Sequence, residues 1–246
     1  MCYDMSFFSS VQQISALLPL DEAPAFPFEP TWHQVAQSWH PFPVVLQEEG
    51  KRKLHYFEWG LIAPYMNTPE KIAEYRSSMA NARSEKILHD QRSVWHRIRH
   101  QRCLVCTTGF FEHRDVGARK KLPYFIRIKN QELFFMAGLY NYAPLPDAAT
   151  GELIGTFAVV TREGNDLLKK IHNSGPNSGR MPLLLDSRRA GKWLNPRLSD
   201  AELEELLEYE IPSAAMEVWA VNTIRTRKAD TAHILDPLPA AAIPPL

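Results

Sequence analysis

Apolar residues recur at helical spacing near the start of the chain. Val11, Ile14, Leu17 and Leu18 in VQQISALLPL predict a short helix, capped by Ser9 or Ser10 and closed by Pro19. Residues 22–45 are rich in proline and aromatics and read as an extended loop leading into a strand. LHYFEWGLIAP reads as a strand and a turn. SEKILHDQRSVWHRIRHQR predicts one helix, with Ile87, Val94, Trp95 and Ile98 on its apolar side and Arg92, Arg97, Arg99 and Arg102 on its polar side.

The pattern then changes to short β-branched and aromatic runs parted by turn residues: RCLVCTTGFFEHR, LPYFIRI, ELFFMAGLYNYA and GTFAVVT. DVGARKK reads as a hairpin loop and EGNDLLKKIH as a short helix. MPLLLD and AMEVWAVN read as strands, and SRRAGKWL as a helix. SDAELEELLEYE is a further helix with Ser199 as its N-cap. These elements predict an α+β fold, a mostly antiparallel sheet wrapped by short helices, over residues 1–235 as one domain. The Pro/Ala-rich tail 236–246 is expected to be poorly ordered.

Composition narrows the classes. The chain has 246 residues, 45% hydrophobic, enough for one sizeable core. Three cysteines do not make a disulfide framework, so a reducing, cytoplasmic setting is expected. No apolar run approaches the roughly 18 residues needed to cross a membrane, and the start lacks a signal-peptide pattern, since Asp4 interrupts it. Zero formal net charge argues against a coat of basic charge for duplex binding, while leaving room for a local basic groove.

The familiar phosphate-loop, dinucleotide, zinc-protease and serine-hydrolase patterns are absent from the sequence. Cys103 and Cys106 form a C-x-x-C pair without a second pair of ligands, and on a strand they face opposite sides, so neither a metal nor a cofactor is expected. Cys2 is different. If Met1 is removed, Cys2 carries an α-amine and a thiol on adjacent carbons, which condense with an aldehyde to give a thiazolidine ring. Three other positions attract attention. Asn81 and Arg83 precede a predicted helix, and His172 ends one. Glu112 shares a strand face with Phe110, where an apolar wall raises a carboxyl pKa into the range of an acid near neutral pH. Taken singly, Asn81 and His172 also fit helix caps, and Glu112 fits an ion pair.

Together these segments resemble the SOS-response-associated peptidase family. The resemblance rests on Met1-Cys2, WGLIAP (Trp59 to Pro64), NARSE (Asn81 to Glu85), RCLVCTTGFFEHR (Arg102 to Arg114), LPYFIRI, IH followed by RMPLLL, and VNTIR (Val221 to Arg225). It implies a β pseudo-barrel that binds single-stranded DNA and cross-links itself to abasic sites, protecting them during the DNA damage response. By that match Cys2 is the nucleophile, with Asn81, Glu112 and His172 around it. Self-removal of Met1 would be the peptidase activity, and a lyase activity is a further expectation. Arg83 is expected at a phosphate, with Arg76, Lys86, Arg102 and Arg180 extending the basic surface. Trp59 and Tyr65 are candidates for stacking on bases, with core packing the other role open to Trp59. The expected partner is a single strand with an abasic site, bound by a monomer and without a membrane.

The chain departs from the family pattern at Asp4, where a basic residue is common, at Tyr65-Met66, and in the added stretch NSGPNSG between His172 and Arg180. All three fall at the expected DNA surface. Two other functions use the same residues. An N-terminal cysteine amide hydrolase or peptidase would turn over many times and need an oxyanion hole. A non-catalytic nucleic-acid-binding module would keep its activity without Cys2.

Overall fold

The computed structural model describes residues 2–225 and 231–245. Met1, on which the expected self-cleavage falls, lies outside them. The chain opens with β1 (Asp4–Phe7), α1 (Val11–Leu17), β2 (Thr31–Val35), β3 (Pro41–Glu48) and β4 (Lys51–Trp59). It continues through α2 (Pro69–Tyr75), β5 (Asn81–Arg83), α3 (Glu85–Leu88) and α4 (Val94–Arg97). The central strands are β6 (Arg102–Thr107), β7 (Gly109–Asp115), β8 (Lys121–Ile128), β9 (Phe134–Pro146) and β10 (Leu153–Glu163). After α5 (Asp166–Ile171) come β11 (Arg180–Pro182), β12 (Leu184–Leu185), α6 (Ser187–Trp193), α7 (Asp200–Leu207) and β13 (Met216–Ala220).

The strands form two sheets. One is antiparallel throughout, in the order β13-β8-β7-β1-β2. In the other, β3, β4, β10, β9 and β6 close on themselves, because β10 pairs with both β4 and β9. Closure removes the open edges that would otherwise invite aggregation. β5 and β11 attach to β10, and β12 to β9. The α+β pseudo-barrel expected from the sequence is therefore present, with β10 pairing in parallel with β4 and β5 and a further parallel bridge between Glu22 and Lys53.

RCLVCTTGFFEHR passes from one sheet to the other. It forms β6 in the barrel, bends at Thr108, and continues as β7 in the antiparallel sheet. Ser6 on β1 fastens the bend: its carbonyl accepts from the Thr108 backbone N–H and from Thr107 Oγ1, both at 3.0 Å. Gly109 cannot carry a side chain here, since a Cβ would lie 2.0 Å from the Phe125 ring. Beyond the bend, Phe110 points into the main core and Phe111 packs with Phe125, Val221 and Ile224 in a second cluster.

Three sequence expectations change. The single helix over SEKILHDQRSVWHRIRHQR is two, α3 and α4. Between them Asp90 Oδ1 accepts from the Arg92 N–H and Ser93 Oγ caps α4 by accepting from Trp95, and such local bonds compete with helix continuation. Arg102 is not on a polar face. It opens β6 and is buried, its guanidinium donating to the carbonyls of Trp193, Arg99 and Asn195. The end of the chain is not loose over 231–245. Leu238 donates to the Ala220 carbonyl, Trp219 Nε1 donates to that of Leu235, and Arg114 donates to those of Pro244 and Pro245.

Candidate active site

Cys2 lies two residues before the start of β1 and is fully buried. β1 holds it from one side: its thiol donates to the Asp4 carbonyl at 3.8 Å, and the Tyr3 carbonyl accepts from Ala36. The other hold comes from β5. Asn81 opens that strand, aligned with Val159 of β10, and its Nδ2 donates to the Cys2 carbonyl at 2.8 Å. Among the described residues, the buried Asn81 Oδ1 has no hydrogen-bond partner. Burial pushes the Cys2 thiol well above its ordinary pKa, and the charges of Glu112 and Asp4 push the same way.

Glu112 is on β7, opposite Tyr124 of β8. It is nearly as buried as Cys2, and burial first, then the nearby Asp4 charge, raises its pKa to about 7. The upward shift expected from the apolar strand face is thus present, and the carboxyl is poised to give or take a proton near neutrality. His172 caps the C-terminal end of α5. Its Nδ1 donates to the Arg180 carbonyl at 3.0 Å, which makes Nε2 the unprotonated nitrogen. Burial, with the charges of Lys121 and Arg180, lowers its pKa to about 4, so the ring is neutral at pH 7.

Glu112 and His172 line one open cleft of about 370 Å³ with Tyr3, His113, Lys121 and Arg225. The loop after His172 lines it as well, through Ser174, Gly175, Pro176 and Asn177. Asn173 anchors that loop by exchanging hydrogen bonds with the backbone of Asp115. Pro176 and Asn177 also line a neighbouring cleft with Arg83, Lys169 and Arg180. The loop 173–179 is therefore a ridge between the cleft of Glu112 and the arginines expected at DNA.

The residues expected at DNA separate into groups. Arg83 donates to Asn177 Oδ1 on the ridge. Arg180 makes a bidentate pair with Glu85, at 2.8 and 2.9 Å, and donates to the Thr161 carbonyl. Lys86 is exposed on α3. Tyr65 is exposed and meets Tyr75 edge to face. Arg76 is engaged within the protein: it pairs with Glu58, donates to the Gly60 carbonyl and lies over the Trp39 ring. Trp59 presents no face for a base. It is fully buried, stacked on Phe157, with Nε1 donating to the Ala80 carbonyl, so its place is in the core.

The sequence reading missed Tyr3, Lys121 and Arg225 at the cleft. VNTIR, which ends in Arg225, was a signal of the last. Asp4 is a buried carboxylate that takes hydrogen bonds from His33 Nε2 at 2.8 Å and Arg225 Nη2 at 2.7 Å. Cys103 and Cys106 are free, buried thiols. Among the described residues no group of three or more His, Cys, Asp or Glu side chains could hold a metal, and no helix is long and apolar enough to cross a membrane.

Comparison with known proteins agrees in fold and extent. The family model for the SOS response associated peptidase (SRAP) matches residues 1–225. The abasic site processing protein YoqW of Bacillus subtilis (strain 168) is 28% identical over 225 residues, covering 91% of this chain and 93% of that protein. The abasic site processing protein HMCES of Gallus gallus is 24% identical, over 78% of this chain and 59% of its own. The crystal structure of a Bacteroides thetaiotaomicron protein superposes with a TM-score of 0.82 at 28% identity, over 96% of this chain and 100% of that one. A Bordetella bronchiseptica protein superposes at 0.73 with 20% identity, a likeness of fold.

Proposed function

This chain belongs to the SOS response associated peptidase family, and on that premise we propose that it processes abasic sites in DNA by capturing them covalently on Cys2. The observation that carries the reading is the hydrogen bond from Asn81 to the Cys2 carbonyl, which fixes the second residue of the chain beside the cleft lined by Glu112 and His172. The relatives named abasic site processing proteins supply the substrate class.

The steps follow from the groups present. Hydrolysis of the Met1–Cys2 peptide bond consumes one water and releases methionine, giving Cys2 a free α-amine. That amine, of pKa roughly 8 when unperturbed, is partly neutral at pH 7. An abasic deoxyribose opens to an aldehyde, and the amine adds to its carbon. Glu112, with its pKa near 7, donates a proton to the departing hydroxyl, and water leaves as the imine forms. The Cys2 thiol then adds to the imine carbon, its proton passing to the nitrogen, and the ring closes. From the protein that has already lost Met1, the net change is protein plus strand minus one water.

His172, neutral and oriented through Nδ1, serves the sugar hydroxyl as a proton acceptor through Nε2 and returns that proton afterwards. Asn81 does not titrate. Its role is to hold Cys2, and its Oδ1 offers an acceptor for the new amine. Since Cys2 is buried, the aldehyde enters through the cleft that Tyr3, Glu112 and His172 line. A single strand is the expected form, because an open cleft bounded by a loop ridge takes an extruded sugar more readily than a paired one. Intact mass of the protein after incubation with an abasic single strand tests the reading. The expected product lacks Met1 and weighs the sum of the partners less one water. A mass equal to the unmodified chain after incubation with excess strand overturns it.

A further inference from the structure

We infer that Arg225, held by the buried carboxylate of Asp4, is a strand-phosphate contact at the mouth of the Glu112 and His172 cleft, with Lys121 as its companion cation. The inference rests on the DNA reading above and assigns residues that the sequence alone did not place there.

The geometry is that of a prepared cation. Asp4 is 2% exposed, whereas the Arg225 side chain is 53% exposed. Arg225 gives Asp4 one edge of its guanidinium, Nη2 to Oδ2 at 2.7 Å and Nε to Oδ1 at 3.3 Å. The same carboxylate takes a hydrogen bond from His33, and the His33 ring meets Phe111 edge to face at 5.4 Å. Asp4 is therefore rigid: it sits on β1, two residues from Cys2, with partners on two sides. An arginine has five N–H donors, of which this pairing uses two. The other three have no acceptor among the described residues, and the pairing with Asp4 holds the side chain in place, so less entropy is lost when it binds a ligand. Phosphate oxygens match that donor geometry.

Lys121 approaches the same cleft from the β7–β8 hairpin, where it pairs with Asp115 in the strand register. Both cations are felt by the groups facing the cleft: burial first, then Arg225 and Lys121, lowers the His113 pKa, and Lys121 adds to burial in lowering that of His172. The cleft thus carries Lys121 and the Asp4-paired Arg225 beside a carboxyl whose pKa is raised to about 7. The neighbouring cleft holds Arg83, Lys169 and Arg180 with Glu85 and Glu163. Arg225 is preferred for the phosphate next to the captured sugar because it lines the same cleft as Glu112 and His172, not because that cleft is the more positive.

The alternative is that Arg225 serves only to neutralise Asp4. Equilibrium binding of an intact single strand, measured against salt concentration, separates the two, because a phosphate contact contributes about 0.7 to the slope of log K against log salt. Arg225→Gln is expected to raise the half-saturating strand concentration about five- to tenfold and to lower that slope by about 0.7. Lys121→Gln should lower it by a similar amount, and Arg225→Lys should keep the slope. Arg189→Gln, remote from the cleft, is the control. A lowered melting temperature for Arg225→Gln with unchanged slope and half-saturation overturns the inference. Covalent capture of an abasic strand is scored in parallel. If the wild type makes no covalent product while the slope still depends on Arg225, the capture reading fails and the phosphate contact stands.

Discussion

Asn81 and Cys2 are 79 residues apart in sequence and joined by a 2.8 Å hydrogen bond from a side-chain amide to a backbone carbonyl. The bond crosses from β5, attached to the closed barrel, to the start of the antiparallel sheet. A barrel-side strand thereby sets the position of the residue on which the proposed chemistry depends.

Asn81→Ala should release Cys2 from that hold. Loss of the buried bond is expected to cost roughly 1–2 kcal/mol of stability and to slow capture of an abasic strand about tenfold or more. Chemical denaturation and single-turnover gel kinetics measure the two. A capture rate equal to wild type would remove Asn81 from the site.

Glu112→Gln keeps shape and removes the titration. Capture should slow by about 10²- to 10⁴-fold, the usual share of a positioned acid or base. Unchanged kinetics across pH 6–8 would take the acid–base role from Glu112.

Glu112 and His172 should pull stability in opposite directions with pH. The Glu112 pKa is raised from 4.5 to about 7, so its stabilising contribution is whole below the unfolded value and is lost as pH rises through about 7. The His172 pKa is lowered from 6.5 to about 4, so its contribution is whole above the unfolded value and is lost as pH falls toward about 4. Each is worth on the order of 2–3 kcal/mol. Between them the slopes nearly cancel. Glu112→Gln should leave stability rising from pH 4.5 to 6.5, and His172→Gln should leave it falling. Melting temperatures at half-unit pH steps would show it, and parallel curves for both variants and wild type would contradict the shifts.

Much of this was legible in the sequence because it is local. Period-two runs marked most strands, and Ser199 and Ser10 cap helices as their spacing required. The alternation of Phe110, Phe111 and Glu112 gave the correct faces for a buried carboxyl. The break between α3 and α4 was not legible, since apolar spacing continues across it and only the hydrogen bonds of Asp90 and Ser93 interrupt the backbone. The fate of the arginines was also hidden. Arg76 and Arg102 look solvent-facing by position, yet Glu58 of β4 pairs with one, and the carbonyls of Arg99, Trp193 and Asn195, outside the barrel strands, take up the other. The pairing of Asp4 with Arg225 spans 221 residues, beyond any periodicity.

Gly109→Ala tests the bend that carries the chain from barrel to sheet. The new Cβ would meet the Phe125 ring at 2.0 Å, and moving that ring disturbs the cluster of Phe111, Val221 and Ile224. A loss of about 1–3 kcal/mol is expected in denaturant unfolding. A neutral result would mean that the ring has room to shift.

The central claim is that Cys2 captures an abasic sugar. The direct measurement is a denaturing gel of wild type and Cys2→Ala, each mixed with a single strand carrying one abasic site and with the intact strand. The account predicts one shifted band, no more than one adduct per chain, for wild type with the abasic strand alone. A band that persists in Cys2→Ala, or no band from wild-type protein shown by mass to have lost Met1, would contradict it.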